Sequence, residues 1–336
     1  NIGSESVVRN LLYGHKIGDE FGHTMKVGYT PCSWGQTGQL PQIYALFGIP
    51  HILFYRGISL HESDTEFLWE APDGTRALAN RFSVFARYNY YYMVFRQITY
   101  DHAGPNNKDW KWGEYGELPF RVNDAHTGTV NFELLEPEIR YMKKKLLPAI
   151  EEMLRWEGDS FVSPYFLGMH GHDISWPHPL EPKVIEDANA ELKGMKLVHT
   201  DLEHYCDSVA KSVDMKKLVL LKGERRTNLK DGMWTYLLPG TISARTYLKV
   251  TDAKCEMMLA RMAEPLAALA FSMGAPYPVR YLDLGWRFLM GNHTHDANAG
   301  CAPDHVSEDV LYRYRQSLEL SDGVTEESLK EIVRNV

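Results

Sequence analysis

The first half of the chain alternates short apolar runs with helix-like stretches, while the second half carries a long helical pattern. Met25-Lys26-Val27-Gly28-Tyr29 reads as a strand. It runs into Thr30-Pro31-Cys32-Ser33-Trp34-Gly35-Gln36, a loop rich in breakers. Residues 40–48 carry proline near the start and glycine at the end, the punctuation of a helix. Residues 51–55 form a second apolar run of strand length. Strand, helix and strand in close succession make a βαβ unit and hence a parallel sheet. A charged helix is predicted from about Pro137, with a kink at Pro148. Residues 164–169 are a further candidate for a buried strand.

From about Ala253 the apolar spacing follows a helix. Leu282, Trp286 and Leu289 lie at i, i+4 and i+7 and mark one face. Val306, Val310 and Tyr314 recur every four residues and mark another. These patterns predict an α/β domain over residues 1–212, a linker over 213–239 that carries the apolar run 218–221, and a helical bundle over 240–336.

A length of 336 residues allows two domains. With 44% hydrophobic and 24% charged residues, the chain is neither disordered nor of low complexity. No apolar run reaches the roughly 18 residues of a transmembrane helix, so no membrane partner is expected. The net charge of −8 argues against a general nucleic-acid binder, which needs a basic face. Cys32, Cys206, Cys255 and Cys301 form no CxxC pair, which excludes a zinc ribbon or disulfide scaffold. A reducing, cytoplasmic setting is expected. The chain starts at Asn1 and ends in a helix-like stretch, so both ends are expected to be cut.

Two segments share the pattern His-x-His-Asp: His170-Gly171-His172-Asp173 and His293-Thr294-His295-Asp296. In an extended stretch, residues two apart point to one side. Imidazole and carboxylate suit zinc or a similar divalent ion. The first segment follows a predicted strand, as does Cys32, and strand C-terminal ends gather functional groups in parallel α/β folds. Cys32, His170, His172 and Asp173 are therefore candidates for one rim. Structural readings stand beside this one. A strand-end His often bonds only to backbone, Asp173 and Asp296 suit helix caps, and a lone Cys is often a small buried hydrophobe. Trp34, Trp69, Trp110, Trp112 and Trp176 lie in or near loops, beside Tyr88, Tyr90, Tyr91 and Tyr92. Their faces suit sugar rings, and plain core packing is the other reading.

Six segments then carry a family likeness in order along the chain. They are Ser4-Glu5-Ser6-Val7-Val8-Arg9-Asn10-Leu11; Gly28 to Gln36 with Leu40-Pro41-Gln42; Phe67-Leu68-Trp69-Glu70-Ala71-Pro72-Asp73-Gly74-Thr75; Met169-His170-Gly171-His172-Asp173; Gly240-Thr241-Ile242-Ser243-Ala244-Arg245 with Ala263-Glu264-Pro265-Leu266; and Asn292-His293-Thr294-His295-Asp296 with Gly300-Cys301. In this order they resemble the glycoside hydrolase family 38 α-mannosidases, the bacterial branch in particular. The resemblance implies a barrel-like, mostly parallel β-sheet domain with flanking helices, followed by a three-helix bundle. It implies one Zn2+ per active site and a retaining hydrolysis of terminal α-mannosides, with a mannose-containing oligosaccharide as substrate. Two carboxylates about 5–5.5 Å apart permit the covalent glycosyl intermediate of such a reaction. His295 matches the bundle's zinc ligand, Asp296 a sugar-contacting carboxylate and Asp173 the general acid/base. Trp34, His172, Trp69 and Tyr90 are the further substrate-binding candidates.

Cys32 departs from the pattern. It stands where the family has its nucleophilic Asp, which is also a zinc ligand. Three readings follow: a zinc-bound thiolate that attacks the anomeric carbon, a replacement in a zinc-bearing carbohydrate binder that no longer hydrolyses, or an engineered change that traps substrate. A zinc hydrolase of another kind ranks behind these. The family's H-x-D-x-x-W motif, which supplies two more ligands, has no counterpart in the chain. It is expected upstream of Asn1, as the large C-terminal β domains are expected downstream. With two ligands missing, the chain is expected to hold zinc weakly. Assembly into a homo-oligomer stays open.

Overall fold

The computed structural model describes residues 2–31, 33–82, 87–99, 141–171, 179–227 and 237–336. From the N-terminus, α1 (Ser4–Glu20) precedes β1 (Val27–Tyr29), α2 (Leu40–Leu46), β2 (His51–Phe54), β3 (Glu66–Glu70) and β4 (Arg76–Arg81). A π-helical turn, Tyr91–Phe95, runs into α3 (Arg96–Thr99). Next come α4 (Leu146–Glu157), α5 (Glu181–Glu191), α6 (Leu202–Ser212) and β5 (Leu220–Lys222). The remainder is helical. It holds α7 (Thr246–Met258), a second π-turn (Leu259–Ala263), α8 (Glu264–Ser272), α9 (Val279–Met290), α10 (His295–Ala299) and α11 (Asp304–Arg334). None of the described helices is long and apolar enough to cross a membrane.

Contacts divide the chain into two units, one of Lys26–Leu237 and one of Asn1–Met25 with Leu238–Val336. The first is built on a five-stranded sheet of order β1-β2-β4-β3-β5. β1, β2 and β4 are parallel, β3 runs antiparallel to β4, and β5 is parallel to β3. The apolar run of β2 is buried along its whole length, as a strand covered on both faces requires. Tyr205, Cys206 and Val209 of α6 pack with Val27, Leu53 and Leu78. At Gly28 a Cβ atom would come within 2.6 Å of the Tyr44 ring, so α2 can lie this close only over glycine. The Pro72-Asp73-Gly74 stretch is the β3–β4 hairpin turn. Gly74 adopts φ +87°, and the Asp73 carboxylate accepts from Thr75 N at 3.0 Å and its hydroxyl at 2.8 Å.

Three expected elements differ. Pro148 produces no kink, because α4 starts at Leu146 and proline in the first turn leaves no hydrogen bond unmade. Residues 164–169 join no sheet: Leu167 O and Met169 N bond to the Asn89 side chain, Met169 O accepts from Tyr91 N, and Tyr165 bonds to the Ser163 hydroxyl. The apolar run at 218–221 is not a plain connection, since β5 adds an edge to the sheet there.

The helical unit buries Leu248, Cys255, Leu259, Ala263, Leu282, Trp286, Leu289, Val310 and Tyr314 in one cluster. The predicted α9 face is thus the seam of the unit. α1 joins it by polar contacts. Arg9 donates to Glu264 at 2.7 Å and lies 5.0 Å over the Trp286 ring. Trp286 Nε1 donates to the same Glu264 at 2.8 Å, and Tyr13 donates to Asp283 at 2.7 Å. Arg9 sits 255 residues from Glu264, so no local pattern could pair them.

Candidate active site

Two segments of the sheet unit flank sequence-predicted positions. The first is the loop after β1. Its backbone is fixed by Thr30 N to Leu53 O at 3.1 Å and by a two-way bridge between Gln36 and Arg225 at 2.9 and 3.0 Å. The Thr30 hydroxyl donates to Gln36 Oε1 at 3.0 Å, closing the loop across its neck. Trp34 is half-buried, with the Arg56 guanidinium 4.1 Å above its ring. Cys32 lies outside the described residues.

The second is the extended stretch that leads to residues 172 and 173. Asn89 holds it. Its amide donates to Leu167 O and to the buried Glu157 carboxylate, both at 2.8 Å. Its carbonyl oxygen accepts from Met169 N at 2.7 Å and Tyr90 N at 2.8 Å. The His170 ring lies 4.6 Å from Phe95 and 5.3 Å from Tyr90, with Nε2 3.6 Å from Glu181. Burial raises the Glu181 carboxyl above its ordinary range, and the Tyr90 hydroxyl and nearby His199 oppose that shift. Tyr90 is buried against this cluster. His172 and Asp173, the other candidates of the segment, lie outside the described residues.

Trp69, expected as a sugar platform, is a fully buried core residue. Its indole donates to Gly223 O at 2.8 Å and its ring packs 5.3 Å from Phe54, which leaves no face for a ligand. A cavity of about 10 Å3, lined by Thr65, Asn80, Arg81, Asn89 and Tyr205 among others, has room for about one water.

In the helical unit the second His-x-His-Asp segment turns at Thr294, and α10 begins at His295. The two histidines therefore do not share a side, as an extended stretch would require. His293 points inward, with its side chain 8% exposed, and donates Nε2–H to Asp252 at 2.8 Å. Tyr314 donates to the same carboxylate oxygen at 3.1 Å. His295 points outward, 46% exposed, and lies 3.6 Å from Asp296. Asp296 in turn accepts the Cys301 thiol at 3.0 Å. Burial and this carboxylate push the Cys301 thiol up to about 11.

The far end of α10 is fixed by cations on carbonyls. Gly300 closes the helix at φ +78°. Arg245 donates to Gly300 O, Ala302 O and Asp304, and Lys249 donates to Ala244 O and Ala299 O. Desolvation lowers the Lys249 ammonium's pKa. Asn89, Asp252 and Lys249 are not among the residues the sequence singles out, and Arg245 is named there only within the Gly240–Arg245 motif. A polar residue inside the aromatic run 88–92 was the one visible signal, at Asn89.

The donor chemistry of His295 suits zinc, and His293 is taken up by the core. No group of three or more His, Cys, Asp or Glu placed to hold a metal occurs among the described residues.

The model of the glycosyl hydrolases family 38 N-terminal domain matches residues 1–224, and that of the α-mannosidase middle domain matches residues 236–332. A protein of Halalkalibacterium halodurans, provisionally named a mannosylglycerate hydrolase, is 26% identical over 327 residues, covering 93% of this chain and 31% of that protein. The crystal structure of an α-mannosidase from Enterococcus faecalis superposes with a TM-score of 0.77 at 26% identity, over 99% of this chain and 32% of that one. A second Enterococcus faecalis structure, of a family 38 protein, gives 0.68 at 23% identity, over 99% of this chain and 30% of that one. The chain thus spans about a third of the length of these relatives.

Proposed function

The chain belongs to glycosyl hydrolase family 38, and from that premise we propose that it carries the zinc-dependent, retaining α-mannosidase machinery of a cytoplasmic protein acting on mannose-containing oligosaccharides. The family match running through both regions supports this reading. The resemblance implies that Cys32, Asp173 and His295 stand at its motif positions. His295, on its outward-facing site, and the Cys32 thiolate would hold the metal. A zinc ion held there would supply a Lewis acid for the sugar hydroxyls and for developing charge.

The chain's own residues do the rest. Asp173 gives its proton to the leaving oxygen as the Cys32 sulfur displaces it at the anomeric carbon. Asp173 then takes a proton from water, whose oxygen displaces the sulfur. Asp296, beside His295, receives sugar hydroxyls.

A thioglycoside breaks less readily than the ester that an Asp would form, and the shorter reach of the Cys32 sulfur requires a site adjusted to it. Cys32→Asp is therefore expected to lower hydrolysis of an aryl α-mannoside by the full-length protein. A rise makes Cys32 a loss-of-function replacement. No activity in either form supports the second reading, a zinc-bearing carbohydrate binder, which the Cys at this position favours.

A further inference from the structure

We propose that His293, held by the buried Asp252 and Tyr314, is a positioning residue for His295. The inference rests on the reading of His295 as a metal ligand. Two helices and a turn meet in this clamp. Asp252 comes from α7, Tyr314 from α11, and His293 from the turn between α9 and α10. Asp252 is 1% exposed, and one of its oxygens accepts both the imidazole and the phenol.

Removing a carboxylate and an imidazole from water is costly, and an apolar pair of similar volume would pack as well. What the polar pair supplies is a fixed ring orientation. The other ring nitrogen, Nδ1, is buried with no hydrogen-bond partner among the described residues. Asn292, in the same turn, donates to Val310 O at 3.0 Å and accepts from Arg313 at 3.3 Å. A single residue, Thr294, separates His293 from His295, and its carbonyl accepts from Asn298 N at 3.1 Å as α10 starts. The clamp thereby sets where the first turn of α10 begins and which way His295 faces.

Two readouts on the full-length protein test this. One is amide hydrogen exchange over residues 293–299 without metal. The other is zinc affinity measured by competition with a chromophoric chelator. His293→Phe keeps the bulk and removes the donor. It is expected to speed exchange in the segment and to weaken zinc about tenfold, the scale of outer-shell changes at metal sites. His293→Gln keeps a donor toward Asp252 and is expected to restore most of both. Leu259→Ala, a fully buried position outside the clamp, serves as the stability control and is expected to lower Tm without moving either readout.

Unchanged exchange in His293→Phe overturns the proposal, as does an equal loss of zinc in Leu259→Ala. Faster exchange with full zinc affinity also overturns it, because the pinning then does not serve the ligand. If the wild-type protein takes up no zinc, the zinc reading fails by itself, and the exchange comparison decides whether His293 pins α10.

Discussion

In the helical unit, order comes from a regular stripe. Leu282, Trp286 and Leu289 repeat at helical spacing, and the polar groups that matter are attached to that frame. In the sheet unit, order at the candidate segments comes from single side chains. Gln36 closes one loop, Asn89 carries an extended stretch, and the buried Glu66 accepts from Val162 N and the Ser163 hydroxyl at 2.8 and 2.7 Å. The stripe should tolerate the loss of any one polar contact. The irregular segments should not, since each depends on one or two residues to satisfy its backbone.

The largest expected effect falls on the stripe. Trp286→Ala removes a fully buried ring together with the Glu264 bond and the Arg9 contact, and is expected to cost about 3–5 kcal/mol in urea unfolding. A cost under about 1 kcal/mol would mean that the stripe does not hold the unit together.

Asn89→Ala sharpens the contrast. It leaves Met169 N, Leu167 O and the Glu157 carboxylate each short of a partner, and is expected to cost about 1–3 kcal/mol. The loss should be accompanied by faster exchange confined to residues 167–170. A uniform change across the sheet unit would show that Asn89 acts through the core.

The smallest effect is a pH dependence at Asp187. Hydrogen bonds from Lys143, then Lys183, hold its carboxyl down at about 2, below the unfolded value of 3.8. The stabilisation is present above the unfolded value and is lost as pH falls toward the folded one. The gap between wild type and Asp187→Asn in urea midpoint should therefore shrink between about pH 4 and about pH 2. A constant gap would contradict the assignment.

The elements legible in the sequence are those with a period. The continuous apolar run of β2 and the i, i+4, i+7 face of α9 both lie where the pattern put them. Proline and glycine around α2 bounded that helix correctly. What periodicity missed depends on contacts far apart in the chain. The attachment of α1 to the helical unit runs through Arg9 and Glu264, and β5 becomes a strand only because β3 offers it an edge. Trp69 was misread because an indole in a loop-rich region looks the same in sequence whether it lines a cleft or fills a core. The opposite facing of His293 and His295 follows from the start of α10 between them, which no two-residue spacing reveals.

On the proposed function, His295 would supply the helical unit's ligand to a zinc ion. Equilibrium dialysis of the full-length protein against zinc, followed by metal analysis, tests it directly. One zinc per wild-type chain and none in His295→Ala is the expected outcome. Equal zinc in the two proteins would contradict it.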